Sequence, residues 1–523
     1  MTLIRAITPR SDRNRSMRTD DASAGTPAAP RSPGSSVRIV LVAAVLAALT
    51  ITAPFLLTQT PALIDYPNHL ARVFILNNWH EDPSLQAYYQ LAWGVLPNLG
   101  FDLAGSALAH VVSIFPTGQI ILIAAIVMML SGVLAVSAAL HGGTPRLFSV
   151  FGSLFVTSQP FMFGFINLML GFGLALWGIA SWLRLRARPL PLVLVCFVPF
   201  ALLLFFVHLF AFAAYGVVLA GIEITVLARA RWTTAALKRV TVLAASQLAI
   251  PACLLLFASP TPVSSSAMGD QIARLRTIVM APFRNESDVL DVAAFLAVVT
   301  LIVVGFLARR LLVAREMRLP LIMLAVLCLL MPNTLATSSN GAMRLPVFFC
   351  LLLAASGSWR TTSRPLVAVG AAAFAVLLAA RAGVVAASFV QGAGFVAEVR
   401  QALVQVPRGA RIAAMTVTSP EAHRTRAEWL HVICYAVIDR SAFVPSLFAF
   451  AEQQPVNFTP RMRGLAYPPE QFVSRPGQPL QSDVFANLDY LMLINPTALR
   501  TALPDDLTLM ASGREFNLYA VRR

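Results

Sequence analysis

The sequence predicts an α-helical polytopic membrane protein of about eleven spans, closed at its C-terminal end by a small α/β domain. Three observations predict it. Of 523 residues, 57% are hydrophobic and 12% are charged, where a soluble domain carries about a quarter charged residues; the mean hydropathy is +0.72. Apolar runs approaching the ~20 residues needed to cross a bilayer recur along the chain. The basic residues, nearly all arginine, gather in the N-terminal tail and in short loops between those runs, which is the distribution of topogenic charge. That distribution also disposes of the net charge of +16 as a sign of nucleic-acid binding, because no basic folded domain stands apart from the membrane to hold a nucleic acid.

Residues 1–36 are rich in Arg, Ser, Pro and Ala without hydrophobic periodicity and read as a disordered cytoplasmic tail. The run 39–57 is an uncleaved first span. It reaches spanning length, its basic flank is long, and Pro54 and Thr58 make a poor signal-peptidase site. The remaining spans are expected at 120–140, 147–158, 164–183, 190–207, 209–228, 240–258, 290–308, 319–331, 345–357 and 365–389. Arg146, Arg184, Arg186, Arg188, Arg229, Arg231, Lys238, Arg239, Arg309, Arg310, Arg315, Arg318, Arg360 and Arg364 all fall in loops on one side. The other side holds few basic residues: Arg72, Arg274, Arg276, Arg284 and Arg344. The positive-inside rule then predicts a bacterial inner-membrane protein with its N-terminus cytoplasmic and the sparsely charged side periplasmic. The apolar stretch 100–115 is short and bracketed by Pro97 and Pro116. Crossing there would invert every later loop, so it is placed as an interfacial or re-entrant helix.

The domain plan is a membrane module over 37–390, with an outer loop at 58–119, and a periplasmic α/β domain over 391–523. In that domain 410–417 and 490–495 resemble buried strands, 507–510 and 517–521 flank the hairpin signal Ser512-Gly513, and 428–437 has helical character. Cys196, Cys253, Cys328, Cys350 and Cys434 show no CxxC spacing and no disulfide framework; all five are read as buried small apolar residues.

Chemistry is expected in the outer loop, within Asp65-Tyr66-Pro67-Asn68-His69-Leu70-Ala71-Arg72. Asp65 before Pro67 suits a helix start, and its bland role is a capping acid. On a helix, however, Asp65, His69 and Arg72 share one face at spacings of four and three. A carboxylate beside His or Arg at a membrane surface can accept a proton from a hydroxyl, and the basic groups can bind a phosphate. Tyr88, Tyr89 and Trp93 read as interfacial anchors, and His80-Glu81-Asp82 as adjacent side chains that diverge rather than share a metal. Asn167, His208 and Arg344 lie at the same outer level. His208 is either functional or a solvated interfacial histidine, and Arg344 suits a lipid-linked phosphate. Arg274 and Arg276 fall in an amphipathic segment with Met280, Phe283 and Arg284. Soluble-enzyme motifs are absent from the sequence.

This layout resembles the C-type membrane glycosyltransferases, which include the protein O-mannosyltransferases and the lipid A aminoarabinose transferase. The resemblance is carried by Asp65 in Leu63-Ile64-Asp65-Tyr66-Pro67, by the interfacial stretch 97–115, and by the region 159–167. It implies transfer of a sugar, with inversion, from a polyprenyl-phosphate donor to a glycan, lipid or protein acceptor. Asp65 would be the general base, with His69 and Asp102 as further catalytic candidates. Arg72, Asn167, His208, Arg274, Arg276 and Arg344 would bind substrate. Two departures are visible. Tyr66 follows Asp65 where many members carry an acid, and Asn167 stands where many carry a second acid. No metal ligand is therefore assigned, and a divalent metal is left open. The runner-up function is a non-catalytic membrane protein that binds or hands on a lipid or polysaccharide; a transporter comes third.

Overall fold

The structure, a computed structural model, describes residues 33–257, 268–334, 340–360, 363–417, 429–450, 453–467, 473–474, 480 and 487–522. Most of the predicted tail, and Glu428, lie outside the described residues. The first helix, α1 (Pro33–Leu56), leads into a polar loop that carries α2 (Tyr66–Asn78), α3 (Pro83–Tyr88), β1 (Tyr89–Leu91) and α4 (Gly100–Ala109). α5 (Ile114–Leu140) is followed by a 3₁₀ segment, Leu147–Phe155, and the short α6 (Gln159–Met162). Next come α7 (Ile166–Leu185), α8 (Leu190–Val207), α9 (Leu209–Arg229), α10 (Thr234–Phe257), α11 (Gln271–Met280) and α12 (Asp288–Leu307). The ribbon strand β2 (Leu311–Val313), α13 (Arg315–Leu330), α14 (Arg344–Ser356), the strand β3 (Gly357–Trp359) and α15 (Arg364–Leu403) complete the bundle.

Among the described residues, eight helices are long and apolar enough to cross a membrane: α1, α5, α7, α8, α9, α10, α12 and α15. Three of the predicted spans are not such helices. The span expected at 147–158 is the nine-residue 3₁₀ segment with a turn of helix after it. It is almost wholly buried, and irregular backbone at that depth is tolerated only where protein surrounds it. Those expected at 319–331 and 345–357 lie in α13 and α14, of 16 and 13 residues. At 1.5 Å per residue these reach about 24 and 20 Å, short of the ~30 Å hydrocarbon core. The last predicted span, conversely, is part of a 40-residue helix, about 60 Å long.

Tight packing centres on α5 and α7. A Cβ on Gly132 would fall 2.7 Å from Leu176 Cβ, and one on Gly173 2.7 Å from Met128 Cβ. Small residues let helix backbones approach where lipid gives no hydrophobic drive to associate. The arginine-rich loops collect at the end of the bundle away from α2. There Arg186 pairs with Glu223 at 2.7 Å, Arg229 with Glu316 at 3.0 Å, and Arg239 donates to the carbonyls of Arg186 and Arg188. Cys196 and Cys253 are exposed on α8 and α10, not buried as expected, while Cys328 and Cys434 are buried.

The C-terminal part contains β4 (Ile412–Val417), α16 (Tyr435–Arg440), β5 (Val456–Phe458), α17 (Pro460–Arg463), β6 (Val473–Ser474), β7 (Tyr490–Ile494), β8 (Leu507–Ser512) and β9 (Phe516–Val521). One sheet has the order β6-β4-β7-β9-β8, with β4 and β7 parallel and the predicted β8–β9 hairpin antiparallel. A second, two-stranded ribbon joins this part to the polar loop: β1 pairs with β5, Tyr89 opposite Phe458. Tyr89 is fully buried there, its hydroxyl donating to the Ala442 carbonyl and accepting from the Val444 N–H, both at 3.0 Å. The Tyr88 hydroxyl donates to the Gly409 carbonyl. Tyr88 and Tyr89 are therefore docking residues for the C-terminal part, not membrane anchors. Trp93 remains 55% exposed.

Candidate active site

Asp65 is placed by backbone. Its N–H donates to the Phe163 carbonyl at 3.0 Å, and that of Ile64 to the Met162 carbonyl at 3.4 Å, which laces the entry of α2 to the turn between α6 and α7. Gly164 in that turn has φ of +83°, and a Cβ there would lie 2.9 Å from Asp65 N. Glycine alone meets both the left-handed backbone and the close approach. Asp65 occupies the N-cap position of α2 but makes no side-chain capping bond, so the capping-acid reading does not hold.

The Asp65 carboxylate instead faces His431, whose Nε2 lies 3.6 Å from Oδ1. That is longer than a hydrogen bond. His431 comes from the C-terminal part, just before α16; its side chain is 2% exposed and its ring sits edge-on to Phe448 at 4.8 Å. Burial pushes its imidazole down to about 3, so it is neutral at ordinary pH. Phe448 is fixed in turn by its N–H donating to Asn68 Oδ1 at 2.8 Å.

Arg344 lies within electrostatic range of Asp65. Its guanidinium covers the rings of Phe165 and Phe210 at 4.5 and 5.0 Å, an arrangement that holds a cation away from bulk water. His208 feels the charge of Arg344. It is 4% exposed and caps α9, its Nδ1 accepting from the Phe210 N–H at 3.1 Å. A solvated interfacial histidine is thus ruled out, and capping fixes the tautomer with the proton on Nε2. Arg344, at the start of α14, is thus within electrostatic range of Asp65 from the loop and of His208 from the α8–α9 junction.

Asp102, Arg72 and His69 form a second, fully internal chain behind Asp65. Arg72 donates to both Asp102 oxygens at 2.8 and 2.9 Å, with neither side chain exposed. Its Nη2 donates to His69 Nδ1 at 2.9 Å. His69 must therefore be a neutral Nε2–H tautomer there, and it is hydrogen-bonded to the Gly164 backbone. Burial, the positive charge of Arg72 and the neighbouring His431 hold its imidazole well below its usual range, against that Gly164 bond. The chain Asp102–Arg72–His69–Gly164 ends on the turn that positions Asp65.

The other predicted site residues are distributed differently. Asn167 Oδ1 accepts from the Phe101 N–H at 2.5 Å and Nδ2 donates to the Asn98 carbonyl at 2.6 Å, so its amide clamps the start of α4. Arg274 is buried and donates to the carbonyls of Leu329 and Met331 at 2.7 and 3.1 Å, where it closes the end of α13. Arg276 is exposed on α11. Asp82 caps α3 and takes hydrogen bonds from Ser441 at 2.5 Å and Arg408 at 2.8 Å. Asn167 and Asp102 being so engaged, no set of three His, Cys, Asp or Glu residues suited to a cation occurs among the described residues. The donors among the described residues do not fit a divalent metal.

Sequence reasoning missed Gly164 and His431. Each leaves a trace in hindsight. Gly164 stands between Phe163 and Phe165 in a stretch of apolar residues, and His431 sits in the apolar run Trp429-Leu430-His431-Val432-Ile433. An ionisable side chain in such a run needs a buried partner.

No protein-family model matches the sequence, and no curated protein matches it. Among solved structures, the chain is similar to ArnT from Cupriavidus metallidurans bound to undecaprenyl phosphate, at 11% identity and a TM-score of 0.49, over 93% of this chain and 98% of that one. It is also similar to the same ArnT in the apo state, at 11% identity and a TM-score of 0.44 over the same shares. These are likenesses in the overall course of the chain, and the reading of the site rests on the residues of this protein.

Proposed function

We propose that this protein is a membrane glycosyltransferase that moves a sugar from a polyprenyl-phosphate donor to an acceptor hydroxyl. The observation that supports it is that Asp65, a carboxylate with no capping duty, lies within electrostatic range of Arg344, which in turn lies within range of His208. Asp65 accepts the proton of the acceptor hydroxyl as it attacks the anomeric carbon. Arg344 offsets the negative charge that grows on the departing phosphate, and the Nε2–H of His208 donates to a phosphate oxygen. Attack opposite the leaving phosphate in a single displacement inverts the anomeric carbon. His69, Arg72 and Asp102 are positioning residues for the Gly164 turn, and Asn167 and Arg274 hold backbone. Arg276 faces lipid headgroups.

The arginine-rich end is proposed as the cytoplasmic side, which puts the site, the C-terminal part and the transfer on the periplasmic side. In proteoliposomes supplied with a panel of undecaprenyl-phosphate sugars and cell-envelope glycans, the wild type transfers sugar and Asp65→Asn does not. Transfer that survives Asp65→Asn sinks the catalytic assignment. Lipid binding without transfer by the wild type favours a carrier, and solute flux without donor consumption favours a transporter.

A further inference from the structure

The C-terminal part holds a partly open cavity of about 210 Å³ lined by Ala449, Phe450, Asn457, Phe458, Arg463 and Ala466. Nothing in the mechanism uses it. Asn457 lies on β5, in register with Gln90 of β1. It is 5% exposed, and its Oδ1 has no hydrogen-bond partner among the described residues. A buried amide oxygen without a donor is costly, and it points to a ligand that supplies one. Arg463 ends α17 at the rim of the same cavity; it is exposed and makes no ion pair among the described residues. Phe450 adds an aromatic ring. The cavity is linked to the reacting end: the Phe450 ring is 6.2 Å from that of Phe448, which is 4.8 Å from that of His431, which in turn faces Asp65.

These features specify a ligand. It donates a hydroxyl proton to Asn457, lays an apolar face on Phe450, brings an anion to Arg463 and fills about the volume of one sugar ring. We infer that the cavity binds an acidic saccharide unit, bearing a carboxylate or a phosphate. Under the transfer reading, on which this last assignment rests, the unit belongs to the acceptor and is a part of it held away from the hydroxyl that Asp65 deprotonates, across Phe450, Phe448 and His431.

The test is saturation-transfer NMR on the full-length protein in nanodiscs, with glucuronate, glucose 6-phosphate, glucose and inorganic phosphate as probes. The two acidic sugars receive saturation at their ring protons and glucose receives far less. Arg463→Gln weakens both acidic sugars about tenfold, the loss of one charge-assisted hydrogen bond, and Arg463→Lys restores part of it. Asn457→Asp, isosteric but anionic, abolishes binding, and Arg229→Gln, at the opposite end of the bundle, leaves it unchanged. Glucose binding as well as glucuronate overturns the inference, as does wild-type binding by Arg463→Gln and Asn457→Asp with unchanged unfolding midpoints. Competition by inorganic phosphate as effective as that by glucose 6-phosphate removes the saccharide. Preference between the two acidic sugars assigns the anion. Acidic-sugar binding in a protein that transfers no sugar leaves this site standing and sinks the transfer reading alone.

Discussion

At one end of the bundle Arg229 meets Glu316 with side chains 51% and 39% exposed. At the other Arg72 meets Asp102 with both side chains wholly buried, and Arg381 of α15 meets Asp291 of α12 at 3% and 2%. Each pairs an arginine with a carboxylate, and the distances differ by at most 0.2 Å. What differs is the solvent around them. Exposed pairs are screened and pay side-chain entropy, so their arginines act through their number and sidedness. Buried pairs have given up hydration and are committed to one geometry, so each holds a particular piece of backbone. Under the proposed orientation, arginine sets the sidedness of the chain at one end and fixes backbone at the other.

The largest effect should come from breaking the buried chain. Asp102→Asn leaves the Arg72 guanidinium uncompensated and should destabilise the protein by about 3–5 kcal/mol, read as a fall in the unfolding midpoint by size-exclusion thermal melts. A midpoint within a degree or two of wild type would remove Asp102–Arg72 from the framework of the site.

Acid should act next, through His431. Above pH 6.5 the imidazole is neutral in both folded and unfolded chains and its contribution is complete. As pH falls, the unfolded chain takes up a proton that the folded protein refuses until about pH 3. Stability is therefore lost progressively between those values, by about 2 kcal/mol at pH 5. His431→Asn should flatten that part of the profile of midpoint against pH, and an unchanged slope would contradict the buried neutral imidazole.

Asn167→Ala frees the start of α4 and should cost about 1.5 kcal/mol, in the range of an unsatisfied buried group. It should also raise hydrogen exchange at Phe101, and protection there as in wild type would show that the clamp is dispensable. Arg229→Gln, at the opposite end, should change the unfolding midpoint least, within the ~0.5 kcal/mol expected of an exposed pair. A larger effect would break the contrast between the two ends.

Much of this was legible in the residues. Period and length marked the long helices, because an apolar run has few alternatives in lipid. The strands and the Ser512-Gly513 hairpin of the C-terminal part carried ordinary local signals. The pairing of His69 with Arg72 followed from helical spacing. The partners of Asp65 and His69 did not, because Gly164 and His431 reach them across the fold and leave no periodic trace. The segment 147–158 read as a span because its composition is that of one; burial on all sides allowed a 3₁₀ path that composition does not encode. Tyr88 and Tyr89 have the chemistry of interfacial anchors, and only the pairing of β1 with β5, far apart in sequence, turns them to docking.

The central claim is that Asp65 removes the acceptor proton at a site that Arg344 makes fit for a phosphate. It is tested most directly by the transfer rate of Asp65→Asn in proteoliposomes, at donor concentrations that saturate undecaprenyl-phosphate binding to both proteins. The account predicts a fall of about 100-fold or more, the contribution of a positioned general base, with donor affinity retained. A folded Asp65→Asn protein that transfers sugar at the wild-type rate would contradict it.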